Sequence, residues 1–110
     1  MLILSTQQRI EKATSLFSHG YSCSQAVLCA YLEDFSLTTN TAKGISAAFS
    51  GGMRQGETCG AISGSFMVMG LYSYELSAHE PAQKALCAYG VAQYILALEN
   101  QNIPSKCKDL

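Results

Sequence analysis

Charge is scarce in this chain. Asp, Glu, Lys and Arg make up 14% of its 110 residues, against roughly 25% in an ordinary soluble domain. With 48% apolar residues beside them, much of the surface must be weakly polar or covered by a partner, which points to a homo-oligomer. The basic residues Arg9, Lys12, Lys43, Arg54, Lys84, Lys106 and Lys108 are scattered, and the formal net charge is −1. Phosphate backbones are gripped by clustered Lys and Arg, so no nucleic-acid partner is expected. Long apolar runs are missing too. None approaches the eighteen or so residues of a membrane span, and the apolar start, residues 1–4, lacks the length and the basic flank of a signal peptide. The expected place is the cytoplasm, without membrane insertion.

The chain also lacks C-x-x-C pairs, a P-loop, a dinucleotide fingerprint, a metalloprotease motif and a G-x-S-x-G elbow. His19 and His79 have no ligand-like spacing to a cysteine. Five cysteines, at 23, 29, 59, 87 and 107, are widely spaced and odd in number, unlike a secreted disulfide framework. In a reducing compartment, cysteines serve packing, metal binding or redox chemistry.

Sustained β alternation, internal repeats and low-complexity tracts are absent as well. What is present has helical period. At this length the chain is read as one domain, residues 1–110, able to bury a core without disulfide staples. A first helix is expected over 6–19, with Ile10, Ala13, Leu16 and Phe17 as its apolar stripe and Arg9, Glu11 and Lys12 off it. Gly20 suits the left-handed position after the helix end. Ser22 and Gln25 form a capping box for a second helix running to about Asp34. A third spans 40–50 with Ile45, Ala48 and Phe49 as its face, and Gly51-Gly52 stops it. Thr58 is expected to cap a fourth over 59–74. Pro81 opens a fifth, to about Gln101, with Ala82, Ala85, Leu86, Tyr89, Ala92 and Leu96 as its stripe. Ile103-Pro104 breaks it, and Ser105 looks like the cap of a sixth. The predicted fold is all-α, a compact bundle of about five helices with the start of a sixth at the C-terminus.

The most unusual stretch is Gly51 to Gly64, which holds five of the nine glycines. Gly52 and Gly56 allow a tight turn, which runs through Arg54, Glu57 and Thr58 into Cys59. Gly60 and Gly64 are spaced to let another helix approach closely. Arg54 could add positive potential near Cys59, while Glu57 would oppose it, accept a proton or bond the loop backbone. Three cysteines share one context. Cys23 follows the cap Ser22, Cys59 follows Thr58, and Cys107 lies two residues after Ser105. Helix N-termini present unpaired amides and the positive end of the macrodipole, which favour a thiolate, the nucleophilic and metal-binding form. Cys29, on the far side of its helix from Cys23, and Cys87 read as packing residues.

These residues carry a resemblance. Gly20-Tyr21-Ser22-Cys23-Ser24-Gln25-Ala26-Val27, Gly51-Gly52-Met53, Gly56-Glu57-Thr58-Cys59-Gly60-Ala61 with Gly64, Met67 to Gly70, and Cys107-Lys108-Asp109-Leu110 together resemble the C_GCAxxG_C_C family of redox-active proteins. The resemblance implies a prokaryotic, all-helical protein that is redox-active through its cysteines. Family members usually continue past the last block to a fourth cysteine. The expectation here is therefore a domain lacking that segment.

Three functions follow. In the first, two of Cys23, Cys59 and Cys107 form a reversible disulfide or take electrons from a redox protein partner. In the second, the same cysteines bind a soft metal or an iron–sulfur cluster. In the third, the chain is a non-catalytic helical interaction module whose glycines serve packing.

Overall fold

Helix boundaries follow the caps. Ser5, with its hydroxyl accepting from the Gln8 amide at 3.1 Å and its own amide donating to the Gln8 side chain at 2.7 Å, starts the first helix with a capping box. The structure, a computed structural model, describes residues 4–76 and 79–106. Among these residues the helices are α1 (Thr6–Ser18), α2 (Cys23–Cys29), α3 (Thr39–Ala47), α4 (Gly60–Leu76) and α5 (Glu80–Asn100), and there is no strand beyond one isolated bridge. The all-α reading holds. Where a sixth helix was expected, Ser105 is not helical and Lys106 forms the bridge with Thr58. The remainder of that block, including Cys107, lies outside the described residues. No helix of the described residues is long and apolar enough to cross a membrane.

The short α2 sits at the centre, against α1, α3 and α4, while α5 packs chiefly on the outside of α4. Leu28, Cys29, Ala42 and Val68 form the buried core, with Leu16, Tyr31, Leu71 and Tyr72 packed around it.

Three expectations need correction. The first concerns α1. Its buried residue is Arg9, 4% exposed, whereas Ile10 and Phe17 are 53% and 60% exposed. A guanidinium can be buried only if its donors are satisfied, and here they are. Arg9 donates to the Ala30 carbonyl at 2.7 Å and to both carboxylate oxygens of Asp34 at 2.7 and 2.8 Å, and its guanidinium lies 4.8 Å from the centre of the Tyr31 ring. Tyr72 on α4 donates its hydroxyl to the same carboxylate, with Phe35 edge-on to its ring.

The second correction has the same cause. The second helix does not run unbroken to Asp34. Arg9 takes the carbonyl of Ala30, and the chain tightens into a 3-10 turn at Leu32–Asp34, with Asp34 and Phe35 donating to Tyr31 and Leu32. The third concerns the apolar faces. Ile45 on α3 and Leu86, Tyr89 and Leu96 on α5 are exposed. On α3 the face turned inward is small and polar instead, with Ala42 and Ser46 buried and the Ser46 hydroxyl satisfied by the Ala42 carbonyl at 2.7 Å.

The buried pair makes stability depend on pH. The Tyr72 hydroxyl bond, reinforced by Arg9 against the opposing effect of burial, holds the Asp34 carboxyl below its ordinary value. Burial, then the Asp34 bond, pushes Tyr72 up to about 12. A depressed carboxyl contributes stability above its unfolded value of about 3.9, and the contribution is lost as pH falls through the folded value. Asp34→Asn is therefore expected to flatten the acid limb of the stability–pH curve. At neutral pH it should cost about 3–5 kcal/mol, because Arg9 is left buried without its counter-charge. Urea unfolding across the pH range measures both effects.

Candidate functional site

The site is built from two helix starts and the turn between α3 and α4. Cys23 is the first residue of α2, after the cap Ser22. The Gln25 side chain reaches back to accept from the Ser22 amide at 3.0 Å and donates to the Lys43 carbonyl at 3.1 Å. A chain of hydroxyls then ties this start to the end of α3. Ser50 donates to Ser22 at 2.5 Å, Ser24 and Ser50 share a bond of 2.6 Å, and Ser24 lies 2.6 Å from the Ser46 carbonyl. Ser24, Ser46 and Ser50 are all buried, and no buried side-chain polar atom among the described residues lacks a partner.

The turn that follows is left-handed. Gly51, Gly52, Met53 and Arg54 have φ of 65°, 63°, 58° and 60°, and Gly56 has 70°. Glycine accepts this region freely. Met53 and Arg54 do not, at about 1 kcal/mol or more each. The surroundings hold them there. Met53 donates its amide to Phe49 at 3.2 Å, Glu57 to Gly52 at 2.9 Å, and the Arg54 guanidinium to the Ala47 carbonyl at 2.9 Å. Arg54 thus satisfies the C-terminal end of α3, where a cation is favoured. The Glu57 side chain is exposed.

The start of α4 differs from the expectation by one residue. Cys59, not Thr58, is the cap, since its carbonyl accepts from the Ile62 and Ser63 amides at 2.9 and 3.0 Å. Thr58 is occupied in the bridge with Lys106, and the Cys59 amide donates to the Ser105 carbonyl at 2.7 Å. The C-terminal segment is thereby stitched to the backbone of Cys59. Nothing in the spacing of residues 58 and 106 announced this pairing.

Gly60 brings the start of α2 against the start of α4. A Cβ at this position would run into the Cys23 sulfur, and would also lie 3.1 Å from the Phe49 carbonyl oxygen and 3.2 Å from the Ser50 Cα. The Cys23 thiol therefore fills the space that any side chain at residue 60, next to Cys59, would need. One turn further on, a Cβ at Gly64 would lie 3.0 Å from the Ser24 carbonyl oxygen and 3.2 Å from Val27 Cβ. Gly60 and Gly64 are the surface on which α2 crosses α4.

Cys23 and Cys59 are free thiols, each partly exposed. Cys29 is different: it belongs to the core, and burial raises its thiol pKa, with Lys43 and Lys12 opposing more weakly. Cys87 is half-buried and lines a surface groove along α5. No three His, Cys, Asp or Glu side chains converge as a metal site among the described residues. Two hollows border Thr58, one apolar and the other with Glu99 and Ser105 in its wall. One, of about 410 Å³, lies among Phe49, Met53, Phe66 and Met67, and the other, of about 200 Å³, lies among Ile62, Phe66, Leu98 and Ile103. The serine cluster is the part of the site the sequence analysis missed. The four-residue spacing of Ser46 and Ser50 on the face turned to α2 was its signal.

Gly60→Ala is expected to destabilise the protein by about 1–3 kcal/mol, the usual range for overpacking. Adding Cys23→Ala should recover part of that loss, because the two positions contend for one space. Gly64→Ala should also destabilise, yet gain nothing from Cys23→Ala, since it meets backbone and Val27 instead. A double-mutant cycle by urea denaturation reads the coupling.

No curated protein and no solved structure matches the chain. A family model described as "Putative redox-active protein (C_GCAxxG_C_C)" matches residues 21–110, a span that contains the start of α2, the left-handed turn and the whole of α4 and α5. The chain belongs to the C_GCAxxG_C_C family.

Proposed function

We infer that the chain is a thiol–disulfide redox protein whose working pair is drawn from Cys23, Cys59 and Cys107. The observation that carries this reading is the Cys23 sulfur packed against Gly60, beside Cys59. The Cys23 thiol, at the start of α2, thus lies against the residue that follows Cys59 in sequence at the start of α4. Cys107 follows Lys106 directly in sequence, and Lys106 pairs with Thr58, which is the ground for including the third cysteine in the proposal.

The reaction is dithiol–disulfide exchange. A thiolate of the pair attacks one sulfur of a disulfide in a partner protein or a small molecule, forming a mixed disulfide and releasing the partner's first thiol. The second cysteine, as thiolate, then attacks the mixed disulfide and releases the partner's other thiol. The pair is oxidised by two electrons, the partner disulfide is reduced by the same two, and the two protons given up by the pair end on the partner's thiols. A dithiol reductant resets the protein by the reverse exchange. The hollows that Thr58 borders offer room for the side chains around an incoming disulfide. Cys29, buried with a raised thiol pKa, and Cys87, out on α5, stand apart from this chemistry.

Anaerobically reduced protein titrated with oxidised glutathione, digested and mapped by mass spectrometry should show one disulfide among Cys23, Cys59 and Cys107. Cys29 should remain reduced. Cys59→Ser should leave trapped mixed glutathione disulfide in place of the internal pair, or abolish reaction if Cys59 attacks first. Should all three stay reduced while Cys87 alone reacts, the reading is wrong. A coloured, metal-loaded preparation with no disulfide would support the metal reading instead.

A further inference from the structure

We propose that the outer face of α5 is the seat of a two-fold dimer, with α5 of a second copy of this chain lying antiparallel across it. The helix is apolar on both sides. Its inner side packs on α4, with Gly90 close to Met69 and the Tyr94 ring edge-on to Phe66. Even so, α5 has no buried residue. Its outer side presents Tyr89, Ile95 and Leu96 at 66%, 42% and 47% exposure, interleaved with Ala85, Ala88 and Ala92. These positions recur at three- and four-residue spacing over three turns, the pattern of a helix face meant to be covered.

The charges say what covers it. Lys84 and Glu99 bound a stretch of fourteen residues that carries no charge. Their midpoint falls between Val91 and Ala92, and they are separated by about 22 Å along the axis at 1.5 Å per residue. Turning a second α5 antiparallel about that midpoint sets Lys84 of each copy opposite Glu99 of the other. The same operation sets Ala88 opposite Ile95 and Ala92 opposite Val91, so at both of these steps a small residue meets a larger apolar one. A parallel pair would instead stack Lys84 on Lys84 and Glu99 on Glu99. The face is thus self-complementary in one sense only, as an isologous two-fold contact requires. A groove is already present there. Tyr74, at the end of α4, overhangs Ala88, Val91, Ala92 and Ile95 to form an apolar trough of about 570 Å³ along α5. Lys84 also pairs with Glu80 on its own helix at 3.5 Å, but both side chains are highly exposed, which leaves the lysine able to reach a partner.

The test is sedimentation of the full chain under reducing conditions, so that no thiol link can hold copies together. Wild-type protein should sediment at twice its 11.8 kDa chain mass, and Leu96→Glu should yield a monomer with its helical circular dichroism retained. Lys84→Glu and Glu99→Lys should each weaken association about tenfold, while the double reversal restores it, because the pairing across the two-fold is rebuilt. The double reversal guards the test against a Leu96→Glu variant that fails to fold. A wild-type monomer at high micromolar concentration overturns the proposal. So does a dimer indifferent to all of these changes, which would place the contact elsewhere, for instance on the exposed Ile10 and Phe17 of α1.

Discussion

The contact between α2 and α4 at Gly60 and Gly64 is the constraint on which the rest of the structure depends. Here two helices approach until side chain meets backbone, and a single methyl group at either glycine would touch main-chain atoms. That approach decides where the Cys23 sulfur lies, since it fills the space left empty at residue 60. It also brings the start of α2 under the end of α3, where polar groups would be stranded without the serine hydroxyls that bond one another and the Ser46 carbonyl. A seven-residue helix such as α2 has no stability of its own in water. It persists because it is held at both ends: at its start by Gln25 and the serine cluster, and just past its end by Arg9 on the Ala30 carbonyl.

What could be read from the sequence was whatever depends on local chemistry. The Ser22–Gln25 cap and the close-approach spacing of Gly60 and Gly64 are short-range signals, and the structure contains both; the third helix, expected to run to Ser50 and stop at Gly51, ends earlier, at Ala47. What could not be read depends on a partner distant in the chain. Arg9 looks like a surface charge in any helical projection, and only Asp34, Tyr31 and the Ala30 carbonyl arriving together make its burial tolerable. The Thr58–Lys106 bridge joins residues with no shared pattern, and it displaces the cap of α4 from Thr58 to Cys59. In α5 the sequence named an apolar stripe, Ala82, Ala85, Leu86, Tyr89, Ala92 and Leu96, of which Leu86, Tyr89 and Leu96 are exposed. Its error was to assign that stripe to this chain's own core. The competing face, with Gly90 and Tyr94, won because glycine lets α5 sit close to Met69 and tyrosine finds Phe66.

The strained turn and the C-terminal segment share a purpose in this arrangement. Met53 and Arg54 are held left-handed by bonds to Phe49 and Ala47, which bends the chain back from the end of α3 so that residues 57–59 run beside residues 105 and 106. On the other side, the chain leaves α5 through Asn102, also left-handed at φ 56°, with the Ile103 amide closing on the Leu98 carbonyl at 2.9 Å. Each turn is unfavourable alone, and the two together deliver the Cys59 amide to the Ser105 carbonyl. Strain retained at such a junction is what a functional constraint would leave behind.

It follows that α5 connects the two proposals made for this molecule. Its outer face is the proposed dimer contact, and its C-terminal end launches the segment that is bonded to Cys59. If α5 is clamped between α4 and a second copy, the launch point at Leu98 is fixed, and so is the position of Ser105 over the thiol junction. Without that clamp, the outermost helix of the bundle would rest on one neighbour, and the segment pinned to Cys59 would inherit its freedom. The proposed redox pair, drawn from separated parts of the chain, requires those parts to meet reproducibly. On this argument the apolar outer face of α5 serves the same end as the glycines beneath Cys23: both hold the junction at a fixed geometry.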